Sequence, residues 1–391
     1  MSIILCEPQC AGFEHAAFNA ALLCTVGAAF PDDEIVFFAE TTHRREIEKV
    51  LISTQAPPLQ IDWRAAQLPT SRGLRRLPAE RALVQSVLAV CGSTAARSST
   101  PARGVLFCSA TEITILALKQ LLRSVSAPPG IHIVLHGVLR SLEEPRWRKP
   151  WRWGFSLRQA LRMKHPPNLK YIALSQSICD YAARAEPSLK DNLRAIDMPR
   201  LWNSEVSTKR DSARARFGFF GSTAKGFAPF YEIARAVKSQ NLAADFSLVG
   251  FLNGRDLQCD YNENIVAGLS RSPIDAEEYA RRAAAIDYAV WPANAAHYRL
   301  TASASFLDAL DYLKPVIYLA NPYIDAYAQQ LGDIGYRCET LAQMQNVIET
   351  LAREFPAERY EQQRAALLRG REIFEPTKIA PTLKAIIEEH S

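Results

Sequence analysis

The sequence has no apolar run long enough to cross a bilayer, which takes roughly 18 to 20 residues of helix. It also has no Cys-x-x-Cys pair, so its eight cysteines match no zinc-ribbon or thioredoxin-like motif. The cysteines are scattered, most of them in apolar runs, and we expect reduced, buried thiols in a reducing compartment. The first residues form a strand pattern with no basic region before it, so we expect no signal peptide.

Carboxylate pairs of the Asp-x-Asp type are absent as well. Sites that hold a divalent cation against phosphate groups use such oxygen ligands, so we expect no essential metal. The net charge is only +5 over 391 residues, and this overall balance predicts no polyanionic partner. Apolar residues make up 48% of the chain, which excludes wholesale disorder and indicates a folded, globular protein.

Strand-like and helix-like segments alternate along the chain, which predicts an α/β fold with parallel sheets. A polar stretch at 199–216 separates two such series. We expect two Rossmann-like, doubly wound domains facing a cleft, at 1–200 and 201–375, and a last helix at 376–391 that packs back across the junction. The predicted strands are 3–6, 34–39, 59–63, 104–108, 131–135, 171–174, 217–220, 246–249, 288–291 and 316–319.

The segment 291–316 reads as a strand end, a loop of small polar residues and a helix that begins near Ser303–Ser305. A helix amino terminus offers free N–H groups and the positive end of a dipole, which suit a diphosphate. Asp308 lies about one turn into this helix and suits hydrogen bonds from sugar hydroxyls such as those of a ribose. The alternative is a capping box, in which Ser305-x-x-Asp308 serves only its own helix.

A glycine-containing turn follows the predicted strand 217–220 and carries Gly221, Ser222, Lys225 and Gly226. Gly221 allows the backbone to approach a ligand closely, and the Lys225 ammonium suits the charge of a departing diphosphate. The alternative is a tight turn with a solvated surface lysine.

Two segments of the first domain carry candidate residues for a second substrate. His136 ends a buried strand, where doubly wound sheets place working groups, although a core or loop histidine is the alternative. The loop after the first strand contains Gly12 and three polar residues that suit an acceptor, or that serve as first-turn helix residues. The candidate acceptor contacts are Glu7, Gly12, Glu14 and His15.

The segment 145–164 contains seven Lys or Arg residues, no Asp or Glu, and three of the six tryptophans. Tryptophan with arginine favours a membrane interface, where rings lie at headgroup level and cations meet anionic lipid. Nucleic-acid binding and a basic surface loop are the alternatives. The membrane is favoured because the segment follows His136 closely. The predicted membrane contacts are Arg146, Trp147, Arg148, Lys149, Trp151, Arg152 and Trp153.

These motifs resemble those of the retaining glycosyltransferases with the GT-B fold, of the glycosyltransferase family 4-like or group 1 type, which assemble polysaccharides and glycolipids. Counting back from Pro315 places Asp308 at the second acidic position of the family's donor motif, which holds the ribose. The first acidic position falls on Leu300, and the family's arginine after the first glycine is replaced by Ser222.

The resemblance implies transfer of a sugar from a nucleotide-diphosphate sugar, with that co-substrate and no other cofactor. It implies catalytic roles for His136, Lys225 and Asp308, with Arg299 supplying the missing cation. The acceptor implied is a lipid-linked or other saccharide, reached by a cytoplasmic protein peripherally bound to the inner face of the membrane. The donor contacts implied are Gly221, Ser222, Lys225, Gly226, His297, Tyr298, Arg299, Thr301, Ser303, Ser305 and Asp308.

Two other classes of function remain open. A nucleotide-sugar epimerase has a similar pair of domains and needs no acceptor. A non-catalytic protein that binds membrane or nucleic acid through the basic segment would explain the missing acidic and arginine positions.

Overall fold

The computed structural model describes residues 1–97, 102–125, 129–144, 154–202, 213–293 and 295–389, with the backbone alone at 92–97, 295 and 297. The chain divides into two compact units. Unit 1 comprises Met1–Leu201, Leu300–Ala302 and Ile373–Ser391, and unit 2 comprises Trp202–Arg299 and Ser303–Glu372.

Unit 1 is built on a seven-stranded sheet in the order β3-β2-β1-β4-β5-β6-β7, in which neighbouring strands run parallel. The central strands are buried on both faces, which explains their nearly continuous apolar sequence. The strands are β1 (Ser2–Cys6), β2 (Glu34–Ala39), β3 (Ile61–Ala65), β4 (Ala102–Phe107), β5 (Ile131–Val134), β6 (Leu169–Ala173) and β7 (Leu193–Ala195).

Six helices of unit 1 lie between these strands in the described part of the chain, and a seventh comes from the carboxyl end. The last helix packs on α1, and the buried His132 forms a 3.1 Å hydrogen bond through Nε2 to the Ile386 carbonyl oxygen. The helices are α1 (Ala16–Ala29), α2 (Thr41–Ser53), α3 (Leu77–Arg97), α4 (Glu112–Leu121), α5 (Leu157–Arg162), α6 (Gln176–Ala185) and, from the end of the chain, α13 (Pro376–Glu388).

Unit 2 has a five-stranded parallel sheet in the order β12-β11-β10-β8-β9. Aromatic side chains of its strands, Phe217, Phe246 and Tyr288, form a buried core together with Phe230. The strands are β8 (Ala215–Ser222), β9 (Ala244–Phe251), β10 (Tyr288–Trp291), β11 (Val316–Leu319) and β12 (Gly335–Cys338). The helices are α7 (Phe227–Ser239), α8 (Ala276–Ala285), α9 (Ala304–Asp311), α10 (Pro322–Leu331), α11 (Leu341–Arg353) and α12 (Ala357–Gly370).

The strand orders fix where each sheet can bind a ligand. In a doubly wound sheet the connections reverse direction at one point, and the carboxyl ends of the two strands there border a crevice. That point lies between β1 and β4 in unit 1 and between β8 and β10 in unit 2. The loops of interest therefore follow β1, β4, β8 and β10.

Candidate functional site

The strand predicted at 217–220 extends through Ser222, so Gly221 and Ser222 lie at the end of β8 and not in the turn after it. The end of β8 and the turn that follows bring the chain close to the beginning of α9 and to the loop after β10. Gly221 has a φ of 83°, and a Cβ atom placed on it would lie 2.8 Å from Ser305 Oγ. Gly226 has a φ of 121°, and a Cβ atom there would lie 3.3 Å from the Ala293 backbone nitrogen, in the loop after β10. Both approaches require glycine, so the predicted phosphate turn and the predicted helix terminus adjoin within unit 2.

Ser303, which immediately precedes α9, caps the first turn of the helix. The buried Ser303 Oγ accepts a 3.3 Å hydrogen bond from the Phe306 backbone N–H. The alternative prediction of a capping box between Ser305 and Asp308 is therefore wrong, because Ser303 holds the cap position and Asp308 lies farther into the helix. Ser305 is half-buried and faces Gly221.

Lys225 lies at the end of this turn, half-buried, with its ammonium 5.8 Å from the centre of the Tyr298 ring. Tyr298 is fully buried, and its hydroxyl oxygen accepts a 2.7 Å hydrogen bond from Trp291 Nε1. The hydrogen bond to Trp291 fixes the Tyr298 ring, and the ring face presents π-electron density to the Lys225 ammonium. This arrangement places a cation beside the two adjoining loops.

Asp308 accepts a 2.8 Å hydrogen bond at Oδ2 from the Tyr279 hydroxyl on α8. Both side chains are half-buried. Asp308 lies on α9 about one turn beyond Ser305, the residue that faces Gly221.

The other predicted donor residues lie along the two loops. Ser222 and Arg299 are half-buried in unit 2, and Thr301 is half-buried in the short stretch assigned to unit 1. The His297 side chain lies outside the described part of the structure. The structure brings together Gly221, Lys225, Gly226 and Ser305 around the β8–β10 switch point.

In unit 1, Glu7 organises the loop that follows β1. Its buried carboxylate accepts hydrogen bonds at Oε1 from the Gln9 and Cys10 backbone N–H groups, at 2.9 and 3.3 Å, and from the Ser109 hydroxyl at 2.5 Å. Oε2 accepts a 3.1 Å bond from Asn19 Nδ2. The Glu7 carboxylate thus connects the segments that follow β1 and β4. Burial of the Cys10 thiol, with the Glu7 charge nearby, raises the pKa of that thiol far above its ordinary value.

The same loop is also held from its middle. His43 is fully buried, and its Nδ1 donates a 2.8 Å hydrogen bond to the Gly12 carbonyl while Nε2 accepts one from Asn19 Nδ2, also 2.8 Å. The Gly12 N–H in turn donates to Thr42 Oγ1 at 3.0 Å. With φ at 54°, Gly12 turns the chain between these anchors.

Beyond Gly12 the loop presents side chains to solvent. His15 is exposed and stacks on His136, with ring centres 4.1 Å apart and planes inclined by 8°. The Phe18 ring meets His136 edge-on at 4.6 Å. Phe13 is 63% exposed, and Glu14 is exposed next to it. The structure therefore unites His15 and His136, which the sequence predicts in two separate motifs.

No protein-family model matches this sequence, and no curated protein matches it. Solved structures do match it. HepE from Anabaena, in complex with UDP, is 14% identical, with a TM-score of 0.61 over 100% of both chains. WaaG, a glycosyltransferase involved in lipopolysaccharide biosynthesis, is 12% identical, with a TM-score of 0.61 over 98% of this chain and 99% of WaaG. A Listeria monocytogenes protein assigned as a UDP-N-acetylglucosamine 2-epimerase is 12% identical, with a TM-score of 0.52 over 100% and 97%.

The chain has the GT-B fold. The predicted fold class, α/β with two Rossmann-like parallel sheets, is confirmed.

Sequence reasoning missed three polar residues that this GT-B chain uses to hold its candidate sites. Tyr279 fixes Asp308, and Asn19 and His43 fix the loop after β1. Tyr279 reaches Asp308 across 29 residues, and His43 reaches Asn19 and Gly12 across 24 and 31 residues. Contacts over such separations leave no local spacing pattern in the sequence. A polar residue in an otherwise apolar helix, as Asn19 is in α1, was the one available signal.

The predicted membrane contacts at 146–153 lie outside the described part of this GT-B chain. Gly154, the residue after this stretch, lies close to Leu74: a Cβ atom on Gly154 would be 3.5 Å from Leu74 Cδ1. The Leu74 side chain is 45% exposed. Arg75 and Arg76 follow Leu74 in the same turn.

Among the described residues, no helix is both long and apolar enough to cross a membrane. No group of three or more His, Cys, Asp or Glu residues in the described ranges is arranged to hold a metal ion.

Proposed function

We propose that this protein is a glycosyltransferase that moves a sugar from a nucleotide-diphosphate sugar to an acceptor. The observation that carries the proposal is the meeting of Gly221, at the end of β8, with the amino end of α9, at the β8–β10 switch point and with Lys225 in the turn that follows β8. Free N–H groups, close backbone approach and a cation are what a diphosphate requires. The UDP bound in HepE, a protein of the same fold, supports a nucleoside diphosphate as the ligand.

In the proposed reaction the bond between the anomeric carbon and the β-phosphate oxygen breaks, and its electron pair goes to that oxygen. The acceptor oxygen bonds to the anomeric carbon, and its hydroxyl proton passes to the departing diphosphate. Lys225 and the α9 backbone N–H groups stabilise the charge that develops on the diphosphate. Asp308 holds the ribose, and His136, stacked on His15, orients the sugar or the acceptor. Configuration is retained, and no metal is essential because Lys225, Arg299 and the helix terminus neutralise the phosphates.

Lys225→Ala and Asp308→Ala are each expected to abolish the nucleotide-induced thermal shift without unfolding the protein, because losing a charge-assisted hydrogen bond of about 1.5–3 kcal/mol weakens binding by about 10- to 150-fold. The measurement is a thermal-shift screen of UDP, GDP, ADP and CDP, since a ligand that binds only the folded state raises the melting temperature. Lys238→Ala is the matched control, because Lys238 Nζ bonds the Asn264 carbonyl away from the candidate site. Full shifts in both Lys225→Ala and Asp308→Ala would contradict the proposal.

Chromatographic analysis of products separates the three classes of function. Incubating the sugar nucleotide that corresponds to the preferred diphosphate, with and without saccharide acceptors, tests for transfer. Epimerisation without acceptor would support the second candidate, which the similarity to the Listeria protein favours. Donor binding with no turnover against any acceptor would support a non-catalytic binding protein.

We further propose that the acceptor is lipid-linked and that the protein binds the cytoplasmic face of the membrane through Arg146–Trp153. The exposed Leu74 beside Gly154 adds an apolar contact next to this segment. Each cation near an anionic surface contributes about 1 kcal/mol, so the four Lys and Arg residues of 146–153 together contribute about 4 kcal/mol to peripheral binding. Arg158 and Arg162, later in the basic segment, instead form ion pairs with Glu186 at 3.1 and 3.0 Å. The involvement of WaaG in lipopolysaccharide biosynthesis supports an acceptor of this class.

Replacing Trp147, Trp151 and Trp153 together by alanine is expected to release the protein from anionic vesicles while leaving the nucleotide-induced thermal shift unchanged. Vesicle flotation measures the binding, with neutral vesicles as the control for charge. Loss of vesicle and nucleotide binding together would contradict separate surfaces. Retention by single-stranded DNA in place of vesicles would favour the nucleic-acid alternative.

A further inference from the structure

Tyr279 and Asp308 form a hydrogen-bonded pair between two helices of unit 2. The Tyr279 hydroxyl on α8 donates to Asp308 Oδ2 on α9 at 2.8 Å. Tyr279 belongs to none of the motifs that the sequence analysis singles out, and its contact spans 29 residues of sequence. Asp308, in contrast, is the carboxylate that the proposed function assigns to the ribose.

The Tyr279 ring is itself held in place. Its centre lies 6.2 Å from that of Phe220 near the end of β8, at a steep interplanar angle of 66°, and 6.3 Å from that of Tyr312 near the end of α9. Aromatic contacts from β8 and from the end of α9 therefore restrict the orientation of the Tyr279 ring and its hydroxyl.

The helix that carries Tyr279 is anchored independently. Asp275 caps α8 by accepting a 2.8 Å hydrogen bond from the Glu278 backbone N–H. Arg282, one turn after Tyr279, donates from Nη1 to the carbonyl oxygens of Gly268 and Leu248, at 2.6 and 3.2 Å. These bonds tie α8 to β9 and to the loop that follows, so Tyr279 projects from a fixed helix.

A carboxylate has about four acceptor positions on its two oxygens. The Tyr279 hydroxyl occupies one position on Oδ2 and restricts rotation of the Asp308 side chain. A vicinal diol presents two hydroxyl donors, which suit a carboxylate whose orientation is fixed in this way. Preorganising a side chain in this way lowers the entropy lost when the ligand binds.

We propose that Tyr279 is a positioning residue that orients Asp308 toward the 2′- and 3′-hydroxyls of a ribose, and that this pair makes the site selective for ribonucleotides over 2′-deoxyribonucleotides. The inference rests on the proposed function, because it takes Asp308 as the ribose contact. Its alternative is a purely structural bond that ties α8 to α9 and leaves selectivity unaffected.

The test is calorimetric titration of the wild-type protein and Tyr279→Phe with UDP and 2′-deoxy-UDP, or with whichever diphosphate pair gives the largest thermal shift. The wild type is expected to prefer the ribonucleotide by roughly tenfold or more, because a site built to bind a hydroxyl rejects the analogue that lacks it. Tyr279→Phe is expected to weaken UDP binding about fivefold and 2′-deoxy-UDP binding much less. The selectivity ratio should therefore fall.

Tyr318→Phe is the matched control, because the Tyr318 hydroxyl donates to Asp325 at 3.1 Å in the same unit. This variant also loses a Tyr–Asp hydrogen bond, but its selectivity ratio should equal that of the wild type. Equal losses of UDP and 2′-deoxy-UDP affinity in Tyr279→Phe would overturn the proposal and assign the bond a structural role.

A double-mutant cycle shows whether Tyr279 acts through Asp308. Asp308→Ala, titrated at ligand concentrations high enough to detect weak binding, is expected to show no preference for the ribonucleotide, and adding Tyr279→Phe should change neither affinity. A full additional loss in the double variant would overturn the positioning role. If the wild type binds no nucleoside diphosphate, the proposed function and this role both fail. Binding with an unchanged ratio in Tyr279→Phe overturns this role alone.

Discussion

Gly221→Ala is expected to weaken nucleotide binding severely in a protein that still folds. The added Cβ atom would lie 2.8 Å from Ser305 Oγ, where the end of β8 meets the first turn of α9. At a φ of 83° an alanine is also strained, which costs about 1–2 kcal/mol of stability. If the shift of this turn removes two charge-assisted hydrogen bonds to the diphosphate, affinity falls by roughly 100-fold or more. Calorimetric titration with the preferred diphosphate measures the loss.

Gly332→Ala separates the strain from the filled space. Gly332 ends α10 with a φ of 85°, and nothing lies within 4 Å of a Cβ atom placed there. This control is expected to lower the melting temperature by a similar amount while binding the nucleotide normally. Wild-type affinity in Gly221→Ala would show that the approach of the two loops has no part in binding.

Removing the chain from Pro376 onward is expected to unfold unit 1. Helix α13 buries Ile379, Leu383, Ile386 and Ile387, and each such side chain contributes about 1.5–3 kcal/mol on burial. The sum, roughly 6–12 kcal/mol, is comparable with the whole stability of an ordinary domain. The truncation also breaks the bond from His132 to the helix and the 3.0 Å ion pair between Arg103 and Glu388.

A milder substitution keeps this prediction quantitative. Leu383 is fully buried, and Leu383→Ala is expected to lower the free energy of unfolding by about 2–5 kcal/mol in chemical denaturation. Thr382→Ala, at the neighbouring exposed position, should change it by less than about 0.5 kcal/mol. A truncated chain with an unchanged unfolding transition would contradict the assignment of α13 to the core of unit 1.

The sequence predicted the central strands of both sheets closely, because strands buried on both faces read as short apolar runs. It missed β7 and β12, which are edge strands of three and four residues. Such strands are partly exposed and carry little of the core pattern, as Gly335-Tyr336-Arg337-Cys338 illustrates. The strand predicted at 59–63 lies at Ile61–Ala65 instead, also at an edge of its sheet.

At the candidate site the sequence predicted the segments better than the roles of single residues. It placed the start of α9 correctly, because a strand end and a run of small polar residues precede the helix. It did not distinguish Ser303 from Ser305 as the cap, since either serine satisfies the local pattern. The buried network around Glu7 and the stack of His15 on His136 depend on long-range contacts that one-dimensional spacing does not encode.

Solving the structure of the protein with its preferred nucleoside diphosphate bound tests the central idea most directly. We predict phosphate oxygens within hydrogen-bonding distance of the backbone N–H groups at the start of α9 and of Lys225 Nζ, with the ribose hydroxyls at Asp308. A nucleotide bound elsewhere, away from Lys225 and the start of α9, would contradict the proposed chemistry even though the fold would stand.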